Sequence, residues 1–264
     1  GAWIVSNEAF LQDVAALDQL KLRASYGTTG NAEIGNYVAQ SIYRYNVRYN
    51  GQPGSVIARL PNPDLTWEVN HTLNFGLDLG LFNRVTVTLD AYQRENRDLL
   101  QNVPLPNTTG FNSRLLNIGS VRNRGLELGL STVNLDGDFS WTTDFNFSIN
   151  RNRVLSLYDG NPILSGNQRI IEGRDIYTWY MRKWAGVDPE NGDPLWERLI
   201  TDANGNVTDV ELTNNYSEAT LQPVGTASPD FVGGMRNRFS YRGLSLDAFF
   251  NFVQGVQVYH NARE

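Results

Sequence analysis

The run from Trp67 to Leu81 constrains this chain more than any other stretch. Its odd positions are Trp67, Val69, His71, Leu73, Phe75, Leu77, Leu79 and Leu81; its even positions are Glu68, Asn70, Thr72, Asn74, Gly76, Asp78 and Gly80. Seven of the eight odd residues are apolar and none of the even ones is. Side chains that change face at every residue specify a strand with one oily and one wet side. Length narrows the choice. Strands of soluble domains usually run about 5–6 residues, whereas a tilted strand crossing a bilayer needs about 9–11. After a tight turn at Phe82-Asn83-Arg84, Val85, Val87, Leu89 and Ala91 alternate with Thr86, Thr88, Asp90, Tyr92 and Arg94. Two long alternating strands joined by a very short link are the pattern of a transmembrane β-barrel. A long hairpin in a soluble sandwich is the competing fold.

The rest of the chain repeats the pattern. Leu20, Leu22, Ala24 and Tyr26 alternate with Lys21, Arg23 and Ser25; Leu126, Leu128 and Leu130 with Glu127, Gly129 and Ser131. Beyond an Asp-Gly turn at 134–138, Phe139, Trp141, Phe145, Phe147 and Ile149 alternate with Ser140, Asp144, Asn146, Ser148 and Asn150. Strand-like segments follow at Ile176–Val187, Leu195–Ile200, Phe231–Tyr241 and Leu244–Gly255. Short connections at 82–84, 134–138, 188–194 and 241–243 interleave with long ones at 28–64, 97–117, 155–175 and 201–229. A soluble meander has no reason to sort its loops by side, whereas an outer-membrane barrel keeps short turns in the periplasm and long loops outside. The expected fold is all-β: an antiparallel transmembrane barrel segment of about nine long strands. An open sheet would leave backbone groups unpaired in lipid, so these strands are expected to be a section of a larger barrel, ending at 261–264 just inside a loop. At the other end, Trp3 and Val5 read as the tail of a strand. Phe10, Leu11, Val14 and Leu17 recur at helical spacing and predict a short connecting helix over 6–18.

Composition removes several functions. Net charge is −6, the wrong sign for a nucleic-acid surface. Mean hydropathy is −0.38, which suits a barrel because half of each strand faces water. No apolar run approaches the ~18 residues of a membrane helix. With no cysteine, disulfides and thiolate metal sites are excluded. Gly1-Ala2-Trp3 has none of the features of a secretory signal.

The residues also look familiar. Leu20-Lys21-Leu22-Arg23-Ala24-Ser25-Tyr26-Gly27 with Gly30-Asn31 and Gly35-Asn36-Tyr37, then Asn62-Pro63-Asp64-Leu65-Thr66-Trp67-Glu68, form two such segments. Asn117-Ile118-Gly119-Ser120-Val121 running to Gly125-Leu126-Glu127, and Asn146-Phe147-Ser148-Ile149-Asn150-Arg151-Asn152, form two more. Ala185-Gly186-Val187-Asp188-Pro189 with Gly192, and Tyr241-Arg242-Gly243-Leu244, complete the set. In this order they resemble the SusC/RagA-like TonB-dependent transporters of Bacteroidota outer membranes, and they cover nearly the whole chain. The resemblance implies a multi-pass outer-membrane barrel of about 22 strands with a plugged lumen. It also implies a SusD-like surface lipoprotein as lid, the TonB complex as energy source acting through N-terminal regions, and oligosaccharides or peptides as cargo. Residues 1–264 then correspond to a partial, C-terminal receptor-barrel domain, without plug and without the final strands. A passive porin-type barrel and a soluble secreted glycan-binding protein or hydrolase are the alternatives.

Candidate chemistry is sparse. A Ser-His-Asp site would need His71 or His260, and His71 sits on the oily parity near a strand end, so no catalytic residue is expected. Glu68, Asp78, Asp90, Glu127 and Asp144 share the polar parity, as a hydrated wall requires without any catalysis. The loop Asp202–Asp209 departs from calcium-loop spacing, because Gly205 comes two positions early and no Glu closes it; an Asx-rich turn is expected and no metal. Gly233-Gly234 lacks the strand–loop–helix context of a phosphate cradle, and no cofactor is expected. Leu73, Phe75, Leu77, Leu89, Leu128, Phe145 and Phe147 are expected to face lipid. Tyr26 and Trp67 at one end, and Phe82, Phe139 and Tyr241 at the other, fit two aromatic girdles. Tyr43, Tyr45, Tyr92, Arg94, Glu127 and Trp179 are lumen or loop candidates for substrate contact. Arg124, Arg151 and Arg153 fall on the oily parity close to the long loops, where snorkelling to headgroups is inexpensive and lipid phosphate contact is an open alternative.

Overall fold

The computed structural model describes residues 1–31 and 33–260; the expected loop entry at 261–264 lies outside the described residues. β1 (Ala2–Ile4) pairs with β2 (Leu17–Asn31), and the connection after β2 carries a hairpin of β3 (Ile42–Tyr49) and β4 (Gln52–Arg59). β5 (Glu68–Leu81) and β6 (Val85–Arg97) follow, then the short hairpin β7 (Leu100–Pro104) and β8 (Ser113–Asn117). β9 (Ser120–Leu135) turns directly into β10 (Phe139–Ser156). The next excursion holds β11 (Ile163–Ser165), β12 (Gln168–Ile170), β13 (Thr178–Arg182), β14 (Trp184–Val187), β15 (Pro194–Thr201), β16 (Val207–Thr213) and β17 (Leu221–Thr226). β18 (Phe231–Tyr241) and β19 (Leu244–Gln254) close the described chain.

One eight-stranded antiparallel sheet, ordered β1-β2-β5-β6-β9-β10-β18-β19, forms the wall. Its register lays apolar residues in rows. Leu22, Leu77, Leu89, Leu128 and Phe147 are successive cross-strand partners, as are Leu79, Val87, Leu130, Phe145, Met235 and Phe250. All the residues expected to face lipid share this face, and Phe145, Phe147, Phe231 and Phe252 pack on it with ring centroids 5.4–6.5 Å apart. The apolar run Phe139–Ile149 on β10 would rise ~25 Å at the usual barrel tilt, about the height of a barrel's lipid band. Phe139 stands directly opposite Tyr241 at the turn end, and both are exposed.

The tight connections between wall strands lie at one end. Phe82 and Asn83 take positive φ in the first turn, and Arg242-Gly243, both at positive φ, form the two-residue turn between β18 and β19. The long excursions leave the opposite end and are tied down there by asparagines. Asn117 donates to the carbonyls of Thr66 and Asp98 and accepts from Thr66 N–H, while Asn62 Nδ2 donates to Leu115 O at 2.8 Å. Two of the family-like segments are thus tied to one another at the base of the loops.

Two expectations need correction. Segments 176–187 and 195–200 are not wall strands: β13 joins a sheet with β11, β12 and β17, β14–β16 form another, and 188–194 is a loop-side link. The wall therefore has seven long strands and the short β1, and its long and short connections alternate without exception. The physical reason is charge on both faces of β15, Glu197 on one and Arg198 on the other. The helix predicted over 6–18 is absent as well. A 3₁₀ turn at Val5–Asn7 leads into successive i→i−3 bonds, Leu11 N–H to Glu8, Val14 to Leu11 and Leu17 to Val14. Phe10 and Val14 stay exposed and Leu17 is drawn into β2 opposite Leu81, so the face that would have held so short a helix together is not buried as a unit.

Candidate functional site

The polar face of the wall divides into two zones by how its charges are paired. Near the turn end Lys21, Arg23, Arg236 and Arg238 each have a carboxylate. The Arg23 guanidinium donates to Asp78 at 2.9–3.2 Å and to Asp90 at 2.9 and 3.0 Å, with Lys21 3.7 Å from Asp78. It lies flat over Gly76, where a Cβ would come within 2.4 Å of Cζ. On β18 and β19, Arg236 and Arg238 both hold Asp247. These are cross-strand ties, saturated among themselves.

Midway toward the loops lies a recess of about 470 Å³ lined by Thr72, Asn74, Tyr92, Arg94, Asn123, Glu127 and Asn150. Four neighbouring strands, β5, β6, β9 and β10, supply it, and the parity that makes them amphipathic points all seven residues the same way. Tyr92 lies across Gly125, where an added Cβ would sit 2.3 Å from Cζ, and its hydroxyl donates to Asn150 Oδ1 at 3.4 Å. Only glycine on β9 lets the ring lie down across the ladder. Asn123 Oδ1 accepts from Asn152 and Asn150, fixing the far rim. Asn74 Oδ1 is buried without a partner among the described residues. Arg94 and Glu127 make no ion pair or hydrogen bond among the described residues. A recess with one free cation, one free anion, an aromatic ring and amide groups can take hydroxyl-rich or zwitterionic molecules; it has no nucleophile–base pair.

Three of the six expected contact residues, Tyr92, Arg94 and Glu127, are therefore brought together, and three are elsewhere. Tyr43 and Tyr45 stand exposed on the β3–β4 hairpin. Trp179 is half-buried among the loop strands; its indole N–H donates to Gln257 O at 2.9 Å and its ring meets Tyr259. Asn74, Asn123, Asn150 and the seat at Gly125 were not singled out in the sequence, although their polar parity was the available signal. His71 pairs with Tyr26, Nδ1 to hydroxyl 3.0 Å, on the apolar face. Asp202 accepts from Asn204 and Asn206 backbone N–H groups and from the Asn206 side chain, so it closes the β15–β16 turn. Those bonds, the Asn206 side chain foremost, hold its carboxyl below the usual range. Among the described residues no group of three His, Asp or Glu is placed to hold a metal.

The model of the TonB dependent receptor-like β-barrel matches residues 9–225. The chain belongs to that family. TonB-dependent receptor P39 of Formosa agariphila is 34% identical over 98% of this chain and 29% of its own length. TonB-dependent receptor SusC of Bacteroides thetaiotaomicron is 33% identical over 98% of this chain and 27% of its own. The RagAB peptide transporter structure superposes with a TM-score of 0.80 at 34% identity, covering 97% of this chain and 28% of that one; its open-open state gives 0.83. The chain thus spans under a third of these relatives, as a SusC/RagA-like stretch of TonB-dependent receptor barrel. Such barrels reside in the outer membrane, so the turn end of this TonB-dependent receptor wall is periplasmic and the loop end extracellular.

Proposed function

We propose that this chain is a C-terminal sector of a plugged barrel of about 22 strands that imports peptides or oligosaccharides across the outer membrane. TonB energises it through regions outside this chain, and a SusD-like surface lipoprotein covers its mouth. Leu73, Phe75, Leu77, Leu89, Leu128, Phe145 and Phe147 face lipid. The polar face lines the substrate path, where Tyr92, Arg94 and Glu127 contact cargo in passing, with Tyr43, Tyr45 and Trp179 on the extracellular side. The chain carries out no chemical conversion; its relatives are receptors and transporters. The observation that carries the reading is the contrast on one face. Charges that only brace the wall are neutralised by neighbours, whereas Arg94 and Glu127 are left open in a recess. Opposite free charges favour peptides, whose termini and side chains supply both signs.

The test is uptake of a labelled peptide mixture and a labelled oligosaccharide by cells carrying the full-length transporter. Arg94→Ala with Glu127→Ala should lower uptake of the true cargo about tenfold or more, the worth of one charged hydrogen bond, with the folded fraction by heat-modifiable gel migration unchanged. Unchanged uptake would remove the recess from the path. Uptake that persists without TonB would replace active import with passive diffusion.

A further inference from the structure

The apolar face carries a second cluster of charge, above the lipid band rather than inside the bore. Reading the register outward from Leu126 and Ile149, the next cross-strand pair is Arg124 with Arg151, and the one beyond is Arg122 with Arg153. Four arginines thus form a two-by-two block on adjacent strands and one face. Like charges placed directly opposite each other repel and weaken the pairing of a sheet. The surroundings neutralise half of this block. Glu95, only 8% exposed, is shared by Arg122 at 3.2 Å and Arg97 at 2.7 Å, and Arg151 reaches Asp230 at 3.4 Å. Arg124 has only the amide of Gln93, at 2.6 Å, and Arg153 has no ion pair or hydrogen bond among the described residues. Both are exposed.

We propose that this block is a binding site for the phosphate group of an outer-leaflet lipid. Guanidinium forks match phosphate oxygens in pairs, and Glu95, shared by Arg122 and Arg97, and Asp230, engaged by Arg151, leave Arg124 and Arg153 without an anion among the described residues. The rows directly below, Leu126 with Ile149 and Leu128 with Phe147, are apolar and continuous with the arginines, so the same molecule that offers phosphate above offers acyl chains beneath. A free phosphate ion would use the first feature and not the second. The occupant is therefore an amphiphile with an anionic phosphate head, seated on the extracellular edge of the lipid band.

The full-length transporter, stripped of lipid in a non-ionic detergent, is titrated with phosphorylated lipid A, with the same lipid A after enzymatic dephosphorylation, and with inorganic phosphate. Native mass spectrometry and the thermal midpoint are read for each. The phosphorylated lipid should bind about tenfold or more tightly than the dephosphorylated one and raise the midpoint. Arg124→Gln with Arg153→Gln should lose about tenfold of that affinity, as expected for two charge-assisted contacts. Equal binding of the two lipids, or an unchanged double variant, overturns the site. Inorganic phosphate binding as tightly as the lipid overturns the lipid assignment. Should the double variant not fold, the wild-type comparison of the two lipids decides alone.

Discussion

β5–β6 and β15–β16 are both antiparallel hairpins closed by tight polar turns, yet only the first belongs to the wall. In β5–β6 the face holding Leu77, Leu79, Val87 and Leu89 is free of charge from Leu73 to Leu81 and from Val85 to Ala91, its ions Glu95 and Arg97 coming only at the loop end, and Asp78 and Asp90 both lie on the other face. In β15–β16 one face pairs Arg198 with Glu211 and Ile200 with Asp209, while the opposite face carries Glu197 among Leu199, Val210 and Leu212. Neither side of that ribbon can meet hydrocarbon, because each would bring an ion with it. The difference teaches that strand propensity does not decide membership of the barrel. A strand enters the wall when one parity is uncharged for long enough to cross the lipid.

That rule is broken or sharpened first by putting an ion on the clean face. Leu77→Arg, in the middle of the row from Leu22 to Phe147, should cost about 2–4 kcal/mol of folding free energy in lipid. Leu199→Arg should cost about 1 kcal/mol, since its face already accommodates ions. Urea titration of the heat-modifiable folded form in vesicles measures both. Equal penalties would mean that the two hairpins see the same solvent.

The same rule explains what the sequence could and could not disclose. Face purity over Leu73–Leu81 and Val85–Ala91 is local, so these strands, their turn and their shared apolar face are readable residue by residue. The segment 195–200 reads as a strand, and Glu197 and Arg198 already put a charge on each of its faces; Asp209 on Val207–Thr213, a stretch that reads as polar loop, adds an ion opposite Ile200 that only the pairing reveals. The recess was half legible. Tyr92, Arg94 and Glu127 carry chemistry that stands out in a sequence, whereas Asn74, Asn123, Asn150 and Gly125 acquire meaning only from register. No sequence spacing says that Gly125 faces Tyr92, or that Arg23 spans β5 and β6 to bind both Asp78 and Asp90; cross-strand pairing sets both.

A middle-sized effect tests the polar face of the first hairpin. Arg23→Met leaves Asp78 and Asp90, each about one-fifth exposed, without their shared cation. Its loss should cost about 1–3 kcal/mol, with Asp90 left unpaired and Asp78 left to Lys21 alone. Arg198→Met in the second hairpin removes a more exposed pair and should cost no more than about 0.5 kcal/mol. The urea midpoint of the wall and the loop's proteolytic susceptibility report the two separately. A wall indifferent to Arg23→Met would show that its ladder, rather than its ion pairs, sets the stability.

The smallest effect is a pH dependence confined to the second hairpin. Lys183 Nζ stands 2.7 Å from Glu197 and, with Gln222 adding a second bond, holds that carboxyl below the usual carboxylate range. A carboxylate whose folded pKa is depressed stabilises the fold fully above its unfolded pKa, about 4.3, and loses that contribution as pH falls through the folded value. Lys183 is half exposed, so the contribution stays under about 1 kcal/mol. Acidifying from pH 6 to pH 3 should therefore loosen the loop strands around Trp184 and Trp196, seen as a shift in tryptophan emission, while the wall's heat-modifiable migration holds. Glu197→Gln should flatten that pH response. A response that survives the substitution would assign the acid sensitivity to another carboxylate, with Glu211 and Glu218 beside Arg198 the next to replace.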